Sequence, residues 1–327
     1  MTISTLLLEA RPFCVFDDTA MKILKDRGFQ LIDMRGSGMQ DLAFVEALGK
    51  TDIIVCGNDL LVNDAVLDKA PDLKAVAKLG AGLDTVDINA MTARKIPVFH
   101  TPGVNNHAVA DHTFALILCL ARKLLFCDRS MRANQWEHTK IMGLEIWQKT
   151  IGILGLGAIG QNVARRAKGF DMKVVAYDPF WPEEFAEKYD IERMGIEEVL
   201  KVSDIVSLHL PLLPETTSLI DKHSLDLMKP SALVINCARG GVVNEKDLYD
   251  ALKNGTIAGA GIDVFENEPP TDTPFAALDN VVLTPHTAAF TTEAMNKMND
   301  HIAEQIIEMA DGKRARHTVN PSVYEYM

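Results

Sequence analysis

One short run of glycines constrains this chain more than any other feature of its sequence. The run begins directly after an apolar stretch at residues 151–154 and leads into an amphipathic helical pattern at residues 158–170. A strand, a glycine turn and a helix in this order let the backbone approach a pyrophosphate at a helix N-terminus. The alternative is a glycine-rich turn that binds no ligand. The sequence predicts a dinucleotide-binding turn formed by Gly155, Leu156, Gly157, Ala158, Ile159 and Gly160.

An acidic residue after the next predicted strand indicates which dinucleotide binds. Asp178 follows the apolar stretch 173–177 and stands about twenty positions after Gly160. A carboxylate at this place accepts hydrogen bonds from the adenosine ribose hydroxyls and repels a 2′-phosphate. Residues 179–182 contain no lysine or arginine that would bind such a phosphate. The predicted cofactor is therefore NAD rather than NADP.

Apolar stretches of strand length alternate with amphipathic helical patterns along most of the chain. This alternation is typical of parallel sheets covered by helices and joined by right-handed crossovers. The expected fold class is α/β, with two doubly wound parallel sheets of the Rossmann and flavodoxin-like kind. The predicted strands are residues 5–8, 30–33, 52–55, 74–79, 97–100, 150–154, 173–177, 205–208, 233–236, 258–262 and 281–283. The predicted helices include residues 18–27, 40–48, 63–70 and 87–95, a long helix at 108–125 and a last helix at 291–311.

Composition and charge exclude several classes of partner. The length of 327 residues exceeds the size at which one hydrophobic core stops growing, so two domains are expected. The formal net charge of −12 argues against nucleic acid and against an anionic membrane surface. The apolar helical stretches are too short for a membrane span, and the N-terminal residues lack the pattern of a signal peptide. A cytoplasmic location is therefore expected.

The cysteines are odd in number and widely spaced, without a C-x-x-C pair for a metal or a disulfide. They are predicted to be small buried side chains in a reducing compartment. No metal site is expected. The five cysteines are Cys14, Cys56, Cys119, Cys127 and Cys237.

Three reactive side chains each follow a different predicted strand in the second half of the chain: Arg239, Glu268 and His286. Ligands of open parallel sheets bind at the carboxyl ends of the strands. An arginine binds a carboxylate through two hydrogen bonds, and a histidine held by a carboxylate exchanges a proton near neutral pH. Each residue alone has an equally good structural explanation. Together they indicate hydride transfer at a 2-hydroxy acid.

The motifs and their order resemble those of the D-isomer-specific 2-hydroxyacid dehydrogenases. The similarity extends from residues 78–84 to residues 320–321 and includes the glycine turn and residues 209–212, 236–241, 263–269 and 284–286. The resemblance implies that Arg239 binds the substrate carboxylate, that His286 is the acid and base, and that Glu268 is the partner of His286. It also implies that Asp263 lies near the nicotinamide carboxamide. The further implied cofactor contacts are His209, Pro211, Thr216, Cys237, Ala238 and His286.

The same resemblance implies a domain arrangement and an assembly. Residues 1–104 with 290–327 would form a discontinuous substrate domain, and residues 105–289 an NAD-binding domain, with the active-site cleft between them. Residues 129–145 resemble the dimerisation arm of the family, which implies a homodimer. His107 and His112 are expected to be hydrogen-bonded histidines rather than metal ligands, and Asp111 stands where the family usually has glutamate.

The pattern is closest to D-3-phosphoglycerate dehydrogenase-like members without a C-terminal regulatory domain, so feedback control by serine is not expected. Substrate contacts are implied for Lys78, Leu79, Gly80, Ala81, Arg239 and His286. Lys78 stands where those enzymes have an arginine that contacts the phosphate. It is predicted either to bind a second anionic group of the substrate or to be a surface residue at a strand end.

The expected activity is NAD-dependent interconversion of a D-2-hydroxy acid and its 2-keto acid, with 3-phosphoglycerate or a related acid as the candidate substrate. One alternative is a glyoxylate or hydroxypyruvate reductase. The other is a non-catalytic NAD(H)-sensing protein similar to the corepressors of the family. The sequence does not distinguish the substrates, because the residues that contact the substrate side chain follow no legible pattern.

Overall fold

The structure is a computed structural model in which residues 3–326 are described. The chain divides by its internal contacts into two compact units. The first consists of Met1–Asn105 and Phe290–Met327, and the second of Asn106–Ala289. Met1, Thr2 and Met327, which the predicted domain boundaries include, lie outside the described residues. Each unit contains one parallel sheet, so the predicted α/β class is confirmed.

The sheet of the first unit has five parallel strands. Every residue of the third and fourth strands is buried, as expected for a parallel sheet that is covered on both faces. The strands are β1 (Thr5–Leu8), β2 (Gln30–Asp33), β3 (Ile53–Cys56), β4 (Ala75–Lys78) and β5 (Val98–Phe99). Their spatial order is β2-β1-β3-β4-β5. The order reverses between β1 and β3, and ligands of such sheets bind beyond the carboxyl ends of the strands at this switch point.

The sheet of the second unit has seven parallel strands. They are β6 (Thr150–Leu154), β7 (Lys173–Tyr177), β8 (Glu192–Arg193), β9 (Ile205–Leu208), β10 (Leu233–Asn236), β11 (Gly259–Ile262) and β12 (Val281–Leu283). Their spatial order is β12-β11-β10-β9-β6-β7-β8. The switch point lies between β6 and β9, and the glycine turn follows β6. Because β10, β11 and β12 are successive neighbours, their carboxyl ends lie side by side.

All the helices except the last one, α12, connect successive strands, and six helices begin at a side chain that accepts a hydrogen bond from the first turn. These capping residues are Asp41, Asn63, Asp87, Asp221, Asn244 and Thr291. The helices are α1 (Thr19–Asp26), α2 (Leu42–Leu48), α3 (Asp64–Leu67), α4 (Ile88–Ala93), α5 (Asn106–Ala121), α6 (Leu124–Arg132), α7 (Ala158–Gly169), α8 (Glu183–Lys188), α9 (Ile196–Val202), α10 (Lys222–Asp226), α11 (Glu245–Asn254) and α12 (Thr292–Ala310). Among the described residues, no helix combines the length and apolarity needed to cross a membrane.

The core of the second unit lies on both faces of its sheet, because successive side chains of a strand point to opposite faces. Ile151 and Ile153 of β6 belong to an apolar cluster that also contains residues of α5 and α7. Leu154 of the same strand belongs to a second cluster with residues of α9, α10 and α11. These two layers fix the strand ends from which the candidate site residues extend.

Two local predictions are wrong. The long helix predicted at residues 108–125 ends at Ala121, and a separate helix, α6, begins at Leu124. Lys123 between them has φ +51°, a left-handed conformation that interrupts the helix. The prediction that all five cysteines are buried is also wrong, because Cys119 and Cys127 are only half-buried. The predicted strands agree with the structure to within one residue at each end, but β8 was not predicted.

Candidate functional site

The three glycines of the turn after β6 differ in their backbone conformation and in the space around them. Gly155 has φ +98°, and a Cβ there would lie 2.6 Å from the carbonyl oxygen of His209. A Cβ on Gly160 would lie 2.0 Å from the carbonyl oxygen of Gly155, so α7 packs on the turn only without a side chain. A Cβ on Gly157, directly before α7, would meet no described atom within 4 Å. This open space at the N-terminus of a 12-residue helix fits a pyrophosphate.

Asp178 closes the same turn from the end of β7. Its Oδ2 accepts a hydrogen bond from the backbone amide of Leu156 at 2.6 Å, and its Oδ1 accepts one from the amide of Phe180 at 2.7 Å. The carboxylate is half-buried, so lone pairs remain available for ribose hydroxyls. Asp178 thus has a local structural role that the sequence did not indicate, in a position compatible with the predicted cofactor contact.

The loop after β9 contains the predicted cofactor residues His209, Pro211 and Thr216. The Thr216 hydroxyl donates to the carbonyl oxygen of Pro211 at 2.6 Å and accepts from the amide of Leu213 at 2.8 Å, which closes the loop on itself. Nε2 of His209 is 2.8 Å from Oγ of Ser207, and its Nδ1 is buried without a hydrogen-bond partner among the described residues. Burial lowers the pKa of His209 to about 3, so its ring is neutral at physiological pH.

The buried neutral ring of His209 makes folding stability depend on pH. Because its pKa is lower in the folded than in the unfolded chain, the unfolded chain binds the extra proton between about pH 6.5 and about pH 3. We expect this residue to lower the free energy of unfolding by about 2 kcal/mol between pH 7 and pH 5. Urea unfolding of the ligand-free protein at both pH values would measure this.

The matched variants are His209→Gln and His223→Gln, since His223 is an exposed histidine of the same unit. In His209→Gln, the decrease in the free energy of unfolding between pH 7 and pH 5 should be smaller by about 2 kcal/mol. In His223→Gln, the decrease should be the same as in the parent protein. An unchanged pH dependence in His209→Gln would show that this ring is not the cause.

Asp263, directly after β11, is a fully buried carboxylate with several donors. Its Oδ1 accepts from the hydroxyl of Thr284 at 2.6 Å and from the amide of Thr287 at 2.8 Å, and its Oδ2 accepts from the amide of Ala288 at 3.0 Å. Nε2 of His112 lies 3.5 Å from Oδ1. Burial raises the pKa of Asp263, but these hydrogen bonds outweigh it and hold the pKa below its usual value. The carboxylate is therefore charged at neutral pH.

Glu268 and His286 form a short pair. Nδ1 of His286 is 2.6 Å from Oε2 of Glu268, and Oε1 of Glu268 accepts from the amide of Phe265 at 3.0 Å. Burial raises the pKa of Glu268, but the bonds from His286 and Phe265 outweigh it, so the pKa lies below its usual value. An ionised carboxylate only accepts, so Nδ1 donates and Nε2 of His286 is left to exchange a proton. Both side chains are about one-third exposed.

Arg239 lies directly beyond β10 and is half-buried. Its backbone carbonyl accepts from Nδ2 of Asn236 at 2.9 Å, and its guanidinium donates to the carbonyl oxygen of Ala238 at 2.6 Å. The next residue is Gly240, whose Cβ position would lie 2.0 Å from the backbone of Phe265. A glycine here lets the segment of Arg239 pack directly against the loop that leads to Glu268.

Cys237 and Ala238, between β10 and Arg239, are both buried. Burial raises the pKa of the Cys237 thiol, which also bonds the side chain of Thr113 on α5, so this cysteine stays protonated. The amide of Ala238 donates to Oδ1 of Asn236 at 3.0 Å. These two residues shape the backbone before the arginine and offer no nucleophile.

In the first unit, Lys78 is the last residue of β4 and is only 1% exposed. The alternative that it is a surface residue is therefore wrong. Its Nζ donates to Oδ1 of Asn58 at 2.6 Å. The carboxyl group of Glu9 is also fully buried and accepts from the amide of Gly57 at 2.9 Å. Burial raises the pKa of Glu9, and the positive charge of Lys78 opposes that increase, so the two side chains interact.

The three residues after Lys78 are held by the backbone of the same unit. Leu79 is buried and donates its amide to the carbonyl oxygen of Cys56 at 2.9 Å. Gly80 has φ +116° and donates its amide to Oγ1 of Thr101 at 3.0 Å, and Ala81 bonds the ring of His100 through its carbonyl oxygen. The segment therefore has one defined conformation at the end of β4.

Sequence reasoning included three residues that organise the site in its motifs but gave them no role: Thr284, Asn236 and Gly240. Thr284 stands two residues before His286 after a strand, which was the available signal, but its partner Asp263 is 21 residues away. The prediction of a hydrogen-bonded histidine is confirmed for His112, whose Nε2 lies 3.0 Å from Oγ1 of Thr284.

Comparison with known proteins agrees with this geometry. Residues 114–288 match the family described as D-isomer specific 2-hydroxyacid dehydrogenase, NAD binding domain. D-3-phosphoglycerate dehydrogenase of Archaeoglobus fulgidus is 40% identical over 316 residues, which are 95% of this chain and 60% of that protein. This chain thus spans about 60% of the length of that relative.

Two solved structures have the same fold over nearly their whole length. D-lactate dehydrogenase from Aquifex aeolicus complexed with NAD and lactic acid is 28% identical, with a TM-score of 0.86 and coverage of 97% of this chain and 99% of that one. A glyoxylate reductase from Paecilomyes thermophila is 27% identical, with a TM-score of 0.86 and coverage of 98% and 100%. Motifs, fold and family match lead to one conclusion: the chain belongs to the D-isomer-specific 2-hydroxyacid dehydrogenase family.

Proposed function

We propose that this chain catalyses the NAD-dependent interconversion of a D-2-hydroxy acid and its 2-keto acid. The observation that carries the proposal is the 2.6 Å pair of Glu268 and His286, which follow β11 and β12, the two strands that come next in the sheet after β10, from which the chain leads to Arg239. The second unit, with its glycine turn and Asp178, would be the cofactor domain, and the first unit would supply residues that select the substrate.

In the proposed reaction each of the three residues has one task. Arg239 binds the substrate carboxylate through its planar guanidinium and polarises the neighbouring carbonyl oxygen. Nε2 of His286 gives a proton to that oxygen during reduction and removes it during oxidation, while Glu268 holds the ring through Nδ1. When bound, NAD accepts or supplies the hydride at C2 of the substrate. Asp263 holds the backbone around His286 and, with Cys237 and Ala238, borders the expected nicotinamide position.

Two substrate classes compete. The curated relative is a phosphoglycerate dehydrogenase, which supports an acid with a second anionic group. The surroundings of Lys78 favour a small keto acid without one, such as glyoxylate or hydroxypyruvate. The charge of Lys78 already faces the buried Glu9, and the nearby Arg11 is paired with Asp59 at 2.8 Å. A lysine that already donates to Asn58 and an arginine that is already paired with Asp59 are weaker partners for a phosphate.

We therefore expect NADH-dependent reduction of glyoxylate or hydroxypyruvate to exceed that of 3-phosphohydroxypyruvate by at least about tenfold in kcat/KM, equivalent to about 1.4 kcal/mol. The measurement is the decrease of NADH absorbance with a panel that also contains pyruvate, oxaloacetate and sulfopyruvate. A preference for the phosphorylated acid would assign Lys78 to the phosphate. Binding of NADH without turnover of any acid would support the alternative of an NAD(H)-sensing binding protein.

We also propose a homodimer formed through residues 129–145. This segment exposes three large apolar side chains: Met131 is 53%, Trp136 is 74% and Met142 is 84% exposed. Light scattering should give the mass of two chains, and Trp136→Glu should give the mass of one if the segment is the interface.

A cytoplasmic location completes the proposal and is consistent with the five free cysteines.

A further inference from the structure

A chain of hydrogen bonds connects helix α5 to the loop that contains His286. Oγ1 of Thr284 is 2.6 Å from Oδ1 of Asp263 and 3.0 Å from Nε2 of His112. The carboxylate of Asp263 is charged and only accepts, so the single hydroxyl hydrogen of Thr284 points to it. Nε2 of His112 must then be the donor to Thr284. The direction of both bonds therefore follows from the charge of Asp263.

The end of this chain of bonds holds the backbone of His286 and of the two residues that follow it. Asp263 accepts from the amides of Thr287 and Ala288 through its side chain, and its own carbonyl oxygen accepts from the amide of His286 at 2.8 Å. A fully buried carboxylate depends on every donor, because its desolvation is expensive unless all its bonds are made. A lost donor would therefore disturb the loop rather than be replaced by water.

We propose that His112 is a positioning residue for the proposed reaction: it donates to Thr284, which donates to Asp263, and so keeps the His286 loop in its reactive conformation. The proposal rests on the proposed function, in which Nε2 of His286 exchanges the proton. His112 touches neither substrate nor cofactor in this role. Its effect on turnover passes entirely through Thr284 and Asp263.

The groups that face Asp263 determine how its charge responds to pH. His112 faces it from α5, the Cys237 thiol from the segment after β10, and Glu268 from the loop after β11. Of these three, only His112 can donate a ring N–H. Loss of this donor without a replacement, as in His112→Leu, should therefore raise the pKa of Asp263, and the acidic limb of the pH profile of kcat should move to higher pH.

The test compares His112→Leu with His112→Gln, since the glutamine amide can replace the Nε2 donor. We expect kcat to fall at least about tenfold in His112→Leu and to recover to within about threefold of the parent in His112→Gln. The acidic limb should move upward in His112→Leu only. His223→Leu, which removes an exposed imidazole of the same unit, should change neither kcat nor the limb.

A double-mutant cycle tests whether the effect passes through Thr284. In a Thr284→Val background, His112→Leu should lower kcat by less than about threefold further, because only the longer 3.5 Å approach of its Nε2 to Oδ1 of Asp263 remains to be lost. Additive losses would overturn the proposal, and so would equal losses in His112→Leu and His112→Gln or an unmoved acidic limb.

A measurement that does not depend on catalysis tests the role of His112 separately from the proposed function. In protein labelled with ¹⁵N-histidine, the His112 ring should show a protonated Nε2 with slow hydrogen exchange at neutral pH, and Thr284→Val should abolish that protection. An Nε2 without a proton would overturn the proposal even if the enzyme is active. If every keto acid fails as substrate, the proposed function falls, and this spectrum still decides the direction of the bond.

Discussion

His286→Gln is expected to lower kcat with the best keto acid by at least about a hundredfold, because general acid catalysis contributes about 10² to 10⁴ and glutamine has no proton to exchange near neutral pH. The dissociation constant of NADH should change by less than about threefold, since the glycine turn and Asp178 are untouched. Steady-state kinetics and NADH fluorescence titration measure the two quantities.

The matched control for this prediction is His223→Gln, which replaces an exposed histidine of the same unit. This variant should have the kcat and the NADH affinity of the parent protein. A normal rate in His286→Gln would remove His286 from the acid and base role. A rate lost together with NADH binding would instead indicate that the variant had lost the fold of the second unit.

Arg239→Gln is expected to lower kcat/KM by about a thousandfold, which corresponds to about 4 kcal/mol of transition-state binding. The substrate carboxylate loses a charged, two-pronged partner, and glutamine offers one neutral donor in its place. Arg239→Lys keeps the charge without the planar fork, so its kcat/KM should be only about tenfold higher than that of Arg239→Gln.

Arg193→Gln, at an exposed position of the same unit, provides the control for the lost charge and should keep the parent kcat/KM. If Arg239→Lys restored full activity, the two-pronged geometry would be irrelevant and a simple positive charge would suffice. If Arg239→Gln kept its kcat/KM, the carboxylate would have to bind elsewhere.

Six of the seven strands of the second unit were predictable because they are short, mostly buried and mostly apolar, whereas β8, which is exposed and charged at both residues, was not predicted. Stretches such as β9 and β10 are buried at every residue, so composition alone marks their bounds. The break between α5 and α6 was not predictable in the same way. Leu124 and Leu125 continue the apolar pattern past Ala121, yet both are about half exposed, and the left-handed Lys123 leaves no signal in its residue type.

The candidate site likewise has a part that was predictable from the sequence and a part that was not. Placement of Arg239, Glu268 and His286 at neighbouring strand ends was predictable, because a parallel sheet aligns the carboxyl ends of its strands. The burial of Lys78 was not, since a buried lysine depends on partners such as Glu9 that are far away in sequence. The bonds of Asp263 to His112 and Thr284 likewise join residues whose separation follows only from the complete fold.

His286 has a left-handed backbone, with φ +52°. The residue type that would stabilise the fold most at this position is therefore not the one that the proposed reaction needs. A side chain in this conformation costs on the order of 1 kcal/mol that glycine would not incur. At ordinary helix or strand positions alanine is more stabilising than glycine, but at position 286 the order should be reversed, with His286→Gly more resistant to denaturation than His286→Ala. Selection for a robust fold alone would favour glycine here, so the retained imidazole marks a position where a strained backbone is tolerated for the sake of the ring.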